Sequence, residues 1–229
     1  MRSLPKSVQL SEMLIRDIAA GRLPDGARLP TEREMAREHE VAVGTLRKAL
    51  QILEDKGLLK RIQGSGNYIQ AQTNVESVYS FFRLELISGG GLPTAEILNV
   101  HKRNRPQKAG LFVSGDGHRI RRLRYLDQTP IAVEEIWLDA DYAETLQREE
   151  LSESLYYFYK TKFGMVISRV EDRIGSSTVP TWAPETLGLA PKSGCGFIER
   201  FSYDQANRMS EYSHTWFNSD VACYVNRLL

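Results

Sequence analysis

The feature that most constrains the fold is an ordered set of local patterns between residues 25 and 69. Thr31 and Glu34 have the spacing of a capping box, which predicts a helix from about residue 32 to residue 39. The next helix is predicted to end at Lys56-Gly57 and to carry an apolar stripe made of Leu46, Ala49, Leu50 and Leu53. Residues 58–62 and 67–70 then have the pattern of paired strands around Gly64. A preceding helix is predicted from the helical spacing of Leu10, Leu14, Ile15 and Ile18.

This order of elements predicts a winged helix-turn-helix, which inserts one helix into the major groove of DNA. The residues of that helix that lie off the apolar stripe are free to face bases and phosphates: Gly44, Thr45, Arg47, Lys48 and Gln51. In the hairpin, Lys60 and Arg61 would flank the duplex, and Gly64 permits close approach of the backbone. Each element alone has a simpler explanation, because exposed basic helix faces and glycine hairpins are common. Their order within one segment favours DNA binding.

Charge and composition agree with this interpretation and limit the alternatives. The net charge is +1, but residues 1–70 hold twelve Lys/Arg against nine Asp/Glu (+3), and residues 71–229 hold eighteen against twenty (−2). A length of 229 residues allows two domains at most. The sequence has neither a signal-peptide pattern nor a membrane-spanning apolar run, so a cytoplasmic location is expected. Cys195 and Cys223 have no companions at metal-ligand spacing, so we expect no metal site, disulfide framework or cofactor.

Residues 5–70 resemble the DNA-binding domain of the GntR family of bacterial transcription regulators. The likeness rests on the run from Gly21 to Arg33, in which Leu29-Pro30-Thr31-Glu32-Arg33 has Thr where the family has Ser, and on the Gly-x-Gly hairpin. The resemblance implies DNA contacts from Arg33, Thr45 and Arg47, with Gly64 at the tip of the wing. The family's Ser-Arg pair is Ala42-Val43 here, which implies a shifted operator preference or a greater dependence on Lys48 and Arg61.

The second half of the chain has the pattern of an antiparallel sheet with helices, so the predicted fold class is α+β. Strands are predicted at 118–126, 131–138, 165–174, 196–203 and 209–217, and helices at about 80–88, 141–149, 152–163 and 183–188. We therefore predict a DNA-binding domain over residues 1–70, a linker over 71–79, and an effector-binding and dimerisation domain over 80–229. No catalytic motif stands out in the second half.

A cluster of arginines gives the second half its most informative segment. Strand alternation sends Arg122 and Arg124 to one face of the sheet and Arg119 and Arg121 to the other. An inward pair of arginines requires carboxylates or the acid group of a ligand, because unpaired buried charges are costly. Candidate carboxylates are Glu134 and Glu211. The alternative is an ordinary surface ladder of ion pairs, and the hairpin register that decides between them cannot be derived from the sequence.

Residues 75–229 are similar to the UTRA effector-binding domain of the HutC subfamily, which has a chorismate-lyase-like fold. This likeness rests on the arginine segment together with Ser80-Phe81, Ser154-Leu155-Tyr156, Ser210-Glu211-Tyr212 and Phe217-x-x-Asp220. The resemblance implies a ligand pocket lined by Arg122, Arg124, Glu134, Ser154 and Glu211, with Ser80 and Phe81 at a helix start that receives an anionic group. Phe217 and Asn218 stand where many relatives have Tyr and Arg.

The leading hypothesis is a repressor that binds a palindromic DNA operator as a homodimer and is released by a small anionic metabolite: a sugar phosphate, an acidic sugar or a carboxylate. One alternative is a DNA-binding dimer that needs no effector, which predicts no ligand-dependent change in thermal stability. The other is an enzyme fused to a DNA-binding module, which predicts turnover of a bound metabolite.

Overall fold

The computed structural model describes residues 4–71, 77, 79 and 81–227. These residues form two compact units. The N-terminal unit contains the described residues of 4–82, 90–92 and 225–227, and the sheet unit contains residues 83–89 and 93–224. None of the helices in these ranges has the length and apolar character needed to span a bilayer.

The N-terminal unit consists of helices α1 (Lys6–Ala19), α2 (Glu32–Glu38) and α3 (Val43–Asp55) and strands β1 (Leu59–Ile62) and β2 (Gly66–Ile69). The capping box predicted at the start of α2 is present: the Glu34 amide donates to the Thr31 hydroxyl at 3.3 Å, and the Thr31 amide donates to the Glu34 carboxylate at 2.9 Å. The apolar stripe of α3 is buried in one core with residues of α1, α2 and the hairpin. The predicted helix-turn-helix is confirmed.

The hairpin follows α3 and pairs β1 with β2 in antiparallel register, with Leu59 opposite Ile69. Gly64 in the connecting turn has φ 75°, a left-handed conformation that favours glycine. Arg28 forms an isolated bridge with Tyr68, which ties the hairpin to the segment before α2. The wing therefore projects from a fixed base.

The sheet unit is built mainly from one antiparallel sheet. Its strands, in chain order, are β3 (Leu84–Leu86), β4 (Pro93–Asn104), β5 (Asp116–Leu126), β6 (Thr129–Asp139), β7 (Ile167–Thr178), β8 (Gly194–Asp204), β9 (Met209–Phe217) and β10 (Ala222–Tyr224). The order in the main sheet is β4-β5-β6-β9-β8-β7, and β10 pairs separately with β3. Every pairing is antiparallel. The predicted antiparallel α+β architecture is confirmed.

A turn and a shift in pairing between β5 and β6 set the register that the sequence left open. Asp127 and Gln128 both have positive φ, 45° and 66°, the conformation of a two-residue hairpin turn whose twist matches that of the strands. A register shift between Arg124 and Tyr125 then moves the pairing by one residue, so that Arg122 lies directly opposite Glu134. We call the face of the sheet that carries Arg122, Arg124 and Glu134 the inner face, and the opposite face the outer face.

Several predicted helices are wrong. Of the four helices predicted in the second half, only the one at 152–163 exists, as α4 (Leu155–Phe163). Residues 84–86 form β3 because they pair with β10, and the segments near 141–149 and 183–188 contain only three-residue 3₁₀ turns. In the segment near 141–149 only Leu146 is buried, and the residues after it, 147–149, are polar and exposed, so no long apolar stripe supports a helix. The strand β4 was not predicted.

Candidate DNA interface and candidate ligand site

The residues predicted to contact DNA lie on one accessible part of the N-terminal unit. Arg33, at the second position of α2, is exposed, as are Arg47 and Lys48 on α3. Thr45, one turn before the exposed pair, is half-buried. Because the opposite side of α3 is packed into the core, this exposed side is the one available to a duplex.

Two carboxylates already hold the arginines of this surface. Arg47 Nε donates to Glu32 Oε2 at 2.6 Å, and Arg61 Nε lies 2.9 Å from Glu54 Oε2. Arg61 Nη1 also lies 3.9 Å from Glu32 Oε1, so Glu32 is shared by the helix arginine and the wing arginine. Gln51 accepts a further, long hydrogen bond from Arg61 at 3.4 Å. The structure therefore brings Arg47 and Arg61 together around Glu32.

The sequence pattern did not single out Glu32 or Glu54. A signal was available for Glu54, because it follows Arg47 by seven residues and Gln51 by three, spacings that share one helix face. The contact of Glu32 with α3 spans fifteen residues and depends on how the two helices cross. DNA contact stays a prediction for six residues: Arg33, Thr45, Arg47, Lys48, Arg61 and Gly64.

On the sheet unit, the inner face buries its arginines. Arg122 and Arg124 are 8% and 2% exposed, and Glu134 is 7% exposed. Arg122 Nε donates a short hydrogen bond to Glu134, and Arg124 Nε lies 3.9 Å from the same carboxylate oxygen. Burial alone would raise the pKa of Glu134, but the two guanidinium groups outweigh burial and lower the pKa. Two cations thus share one carboxylate in the interior, which differs from a surface ladder of ion pairs.

The start of α4 closes this cluster. The Glu153 carbonyl accepts hydrogen bonds from Arg122 Nη1 at 3.2 Å and from Arg124 Nη1 at 3.4 Å. The next residue, Ser154, is the N-cap of α4, and its hydroxyl accepts from the Tyr157 amide at 3.3 Å. Ser154 is buried, and its capping bond fixes the start of the helix that carries the Glu153 carbonyl to the arginines.

Glu211 lies in a different environment, made of hydroxyl groups. Tyr159 donates to one carboxylate oxygen at 2.9 Å, and Tyr156 and Ser202 contact the other at 3.2 and 3.3 Å. Burial raises the pKa of Glu211 above its ordinary value, although these hydrogen bonds and Arg122 act in the opposite direction. The inner face therefore holds a carboxylate that is firmly ionised, Glu134, and one that is closer to neutralisation, Glu211.

Phe217 is buried on the inner face against the neighbouring strand. It lies opposite Gly196 in the register of β8 and β9, and a Cβ atom added to Gly196 would overlap the Phe217 ring. Phe81 is half-buried but belongs to the N-terminal unit. Ser80 lies outside the described residues. Ligand binding stays a prediction for all eight residues named for it: Ser80, Phe81, Arg122, Arg124, Glu134, Ser154, Glu211 and Phe217.

The sequence did not single out four further inner-face groups: Arg200, Asp172, Tyr156 and Tyr159. Arg200 Nε and Nη2 donate to Asp172 Oδ1 and Oδ2 at 2.6 and 2.7 Å, a bidentate pair. Strand alternation alone could have placed Arg200 and Ser202 on one face. It could not have identified which face, because the pairing of β8 with β9 and β7 is not readable from the sequence.

The outer face supplies a contrast. Arg121, next to Arg122 in sequence, pairs with Glu135 at 2.7 Å and stacks over the Trp182 ring at 4.4 Å. Its side chain is thus satisfied by the protein itself at the edge of solvent. Alternate arginines of one strand therefore lie in a surface ion pair and in a buried cluster.

Comparisons with known proteins find relatives for both halves of the chain. Residues 6–69 match the family described as bacterial regulatory proteins, gntR family, and residues 90–222 match the UTRA domain. The chain is 52% identical over 227 residues to the HTH-type transcriptional regulator SmoD of Agrobacterium fabrum, with 99% of this chain and 97% of that protein covered. It is 28% identical over 232 residues to the mannosyl-D-glycerate transport/metabolism system repressor MngR of Escherichia coli K12, with 93% and 91% covered.

A solved structure extends the likeness to the fold. The crystal structure of YydK from Bacillus subtilis strain 168, described as a possible transcriptional regulator, aligns with a TM-score of 0.56 at 19% identity. The alignment covers 99% of this chain and 100% of that chain. At this level of identity the comparison concerns the fold alone.

Proposed function

Because the chain belongs to the GntR family of bacterial regulatory proteins and carries a UTRA domain, we propose that it is a repressor released from a palindromic operator by a small anionic metabolite. The chain is a transcription regulator, and its relatives are regulators and not enzymes. The alternative of an enzyme fused to a DNA-binding module is therefore set aside. The proposal itself concerns three properties of this regulator: the palindromic operator, repression as the sign of regulation, and the effector.

The buried cluster of Arg122, Arg124 and Glu134 is the observation that carries the effector class. Two guanidinium groups face one carboxylate in a buried site, so the acid group of a ligand would find two cations already in place. An arginine pair also suits the geometry of carboxylates and phosphates. Glu211 and the hydroxyls of Tyr156 and Tyr159 supply hydrogen bonds for the uncharged part of such a ligand. A sugar phosphate, an acidic sugar or a carboxylate meets these requirements.

The names of two relatives agree with this proposal. MngR is named as a repressor of a mannosyl-D-glycerate system, and NagR of Bacillus subtilis is named as a transcriptional repressor. Glycerate is a carboxylate, which belongs to the effector class inferred from the arginines.

On the DNA side, the proposal assigns base or phosphate contacts to six residues: Arg33, Thr45, Arg47, Lys48, Arg61 and Gly64. Two copies of α3 would enter major grooves about one helical turn apart on a palindromic site, which requires a homodimer. The effector would act by population shift: it binds one arrangement of the dimer better than the other, and that arrangement has lower affinity for the operator.

The test combines DNA selection with ligand titration. We would select binding sites from a random-sequence duplex library, and then titrate the full chain with glucose 6-phosphate, glucuronate and glycerate by calorimetry. A compound of the proper class should bind and should weaken the selected complex. If none of these anions bound, the effector class would be wrong, and if binding left the DNA affinity unchanged, the release mechanism would be wrong.

A matched pair of variants makes the test specific to the inner face. Arg124→Gln removes a buried arginine, and Arg121→Gln removes an arginine of the same strand that faces the other way. We expect Arg124→Gln to abolish anion binding and Arg121→Gln to retain it, with thermal unfolding recorded for both variants. A chain that needs no effector would show no ligand-dependent thermal shift with any compound.

A further inference from the structure

Arg200 lies on the inner face although it is three strands away from Arg122. Glu134 of β6 pairs with Thr215 of β9, and Ser213, two residues before Thr215, points to the same side. Ser213 pairs with Arg200 of β8, which in turn pairs with Asp172 of β7. Because directly opposed residues share a face, Arg200 and Asp172 belong to the same face as Glu134.

Arg200 acts on two groups of this face. Its guanidinium forms the bidentate pair with Asp172, and its positive charge acts on the Tyr156 hydroxyl, where it opposes the rise in pKa that burial causes. Tyr156 in turn hydrogen-bonds Glu211, so Arg200 is connected to the hydroxyl-lined part of the candidate ligand site. The positive charge of Arg200 is felt by both Glu134 and Glu211. It is therefore a third arginine of the same polar interior.

Asp172 has a second partner outside the main sheet. The Tyr224 hydroxyl donates to Asp172 Oδ2 at 2.7 Å, the same oxygen that accepts from Arg200 Nη2. Tyr224 ends β10, where it lies opposite Leu84 of β3. Burial and this bond raise the pKa of Tyr224 to about 12, so the hydroxyl remains a donor over the physiological range. One carboxylate thus joins the polar interior to the β3–β10 pair.

The position of β3 gives this link a functional meaning. β3 is the first strand of the sheet unit, and it follows in sequence directly after the residues that connect this unit to the DNA-binding helices. Its three residues pair with β10 in the two-stranded sheet. A pair this short has little stability of its own, so a side-chain contact at its end has a large relative effect.

We propose that Arg200 is the switch residue of the ligand site: an acid group of the effector takes Arg200 from Asp172, and Asp172 transmits this loss through Tyr224 to the β3–β10 pair. The proposal rests on the proposed ligand site and deepens it. An anion and Asp172 compete for one guanidinium fork, because its bidentate geometry accommodates one carboxylate or phosphate at a time. The bidentate pair fixes the direction of the Asp172 carboxylate, so once Arg200 leaves, Oδ2 is no longer held toward the Tyr224 hydroxyl.

The competition also defines the ligand more closely. Arg122 and Arg200 lie on strands separated by β6 and β9, a distance of roughly 14 Å at ordinary strand spacing. Arginine side chains reach inward from both ends of this span. The ligand that satisfies both ends is elongated, with polar or acid groups at its two ends, and a compact monoanion would engage one end only.

A double-mutant cycle without any ligand tests the transmission. Hydrogen exchange of the full chain would be followed by mass spectrometry in peptides covering residues 83–88 and 221–225, for wild type, Arg200→Gln, Tyr224→Phe and the double variant. Each single variant should accelerate exchange roughly tenfold, as expected for losing a hydrogen bond to a charged group. The double variant should be no faster than the faster single variant, because both changes break one link.

The control is Arg173→Gln, which removes an exposed arginine adjacent to Asp172 that pairs with Glu171. It should leave exchange at β3 and β10 unchanged. Equal exchange in Arg200→Gln and wild type, or multiplicative effects in the double variant, would overturn the transmission. If Arg200→Gln did not fold, Asp172→Asn would break the same link while keeping the arginine.

The displacement step has a separate readout. Glucose 6-phosphate and glucuronate carry polar groups at both ends, and whichever of them binds the wild type should bind Arg200→Gln at least tenfold more weakly and should accelerate exchange at β3 and β10 in the wild type. Unchanged affinity in Arg200→Gln would overturn the role of Arg200 in binding. If none of the three bound, the proposed effector class would fail, whereas the ligand-free cycle would still decide the transmission.

Discussion

Replacing Glu32 by Gln tests whether the carboxylate shared by Arg47 and Arg61 controls DNA selectivity. In the DNA-free chain the Arg47 Nε–H is already bonded to Glu32, so this pair competes with contacts of Arg47 to a phosphate or base. The side chains of Arg47 and Glu32 are 65% and 24% exposed, so solvent screens the pair, and its loss should change the free energy of unfolding by no more than about 1 kcal/mol. The main effect should therefore appear in DNA binding.

The expected change in binding follows from the lost negative charge. Glu32 lies at the centre of the basic surface and would repel phosphates, so Glu32→Gln should strengthen binding to every duplex. Freeing the equivalent of one phosphate contact would steepen the dependence of log affinity on log salt by about 0.9. The affinity for the selected duplex should rise less than the affinity for random duplexes, because Arg47 loses the group that fixes its direction. The ratio of the affinity for the selected duplex to that for random duplexes should therefore fall about three- to tenfold.

The assay is a titration of selected and random duplexes at several salt concentrations, read by fluorescence anisotropy. Glu38→Gln, an exposed acidic residue at the end of the same helix, is the matched control and should leave the selectivity ratio unchanged. An unchanged salt slope together with an unchanged ratio in Glu32→Gln would refute the role of this carboxylate. Equal effects in Glu32→Gln and Glu38→Gln would mean that the change in DNA binding comes from net charge and not from the position of Glu32.

Three further changes test other parts of the structure. Gly196→Ala would place a methyl group inside the Phe217 ring and should lower the free energy of unfolding, measured in urea, by about 1–3 kcal/mol. A double variant that also carries Phe217→Leu should recover this stability, and an unchanged free energy in Gly196→Ala would contradict the packing. Leu50 is fully buried on α3, so Leu50→Ala should lower the free energy of unfolding by about 3–5 kcal/mol and abolish selective DNA binding at elevated temperature. A loss of stability as small as that of a surface substitution would contradict the place of Leu50 in the core. The third test concerns pH. Burial would raise the pKa of Asp172, but Arg200 and other contacts lower it below its ordinary value. The Asp172 carboxylate therefore adds stability above its unfolded pKa of about 4, and this added stability is lost as the pH falls through the lower pKa of the folded state. Thermal unfolding of Asp172→Asn should consequently show a smaller loss on acidification than the wild type, and parallel curves would contradict the ion pair.

Local patterns were sufficient to predict the N-terminal unit. The capping box at Thr31 and the stripe through Leu46 and Leu50 depend on contacts within a few residues, and the core of the unit is assembled from such elements. The opposite orientation of Arg121 and Arg122 was likewise predictable, because alternation along a strand is a local property.

The remainder depends on pairings between distant residues. Asp172 meets Arg200 and Tyr224 across 28 and 52 residues, and nothing in either segment encodes that register. Within the segment near 80–88, where a helix is predicted, residues 84–86 form a strand, because Leu84-Glu85-Leu86 pairs with β10 at the opposite end of the unit's sequence. Tertiary pairing overrides local preference in such short segments.

The pairing of β3 with β10 also affects the order in which the chain can fold during synthesis. The helices and the hairpin of the N-terminal unit all lie before residue 70, whereas β3 waits for β10, which is synthesised after the other strands of the sheet unit. A nascent chain could thus acquire its DNA-binding helices well before the sheet unit is closed. A chain interrupted before β10 would leave β3 without its partner strand, and such a product would retain the helices while lacking a closed sheet unit.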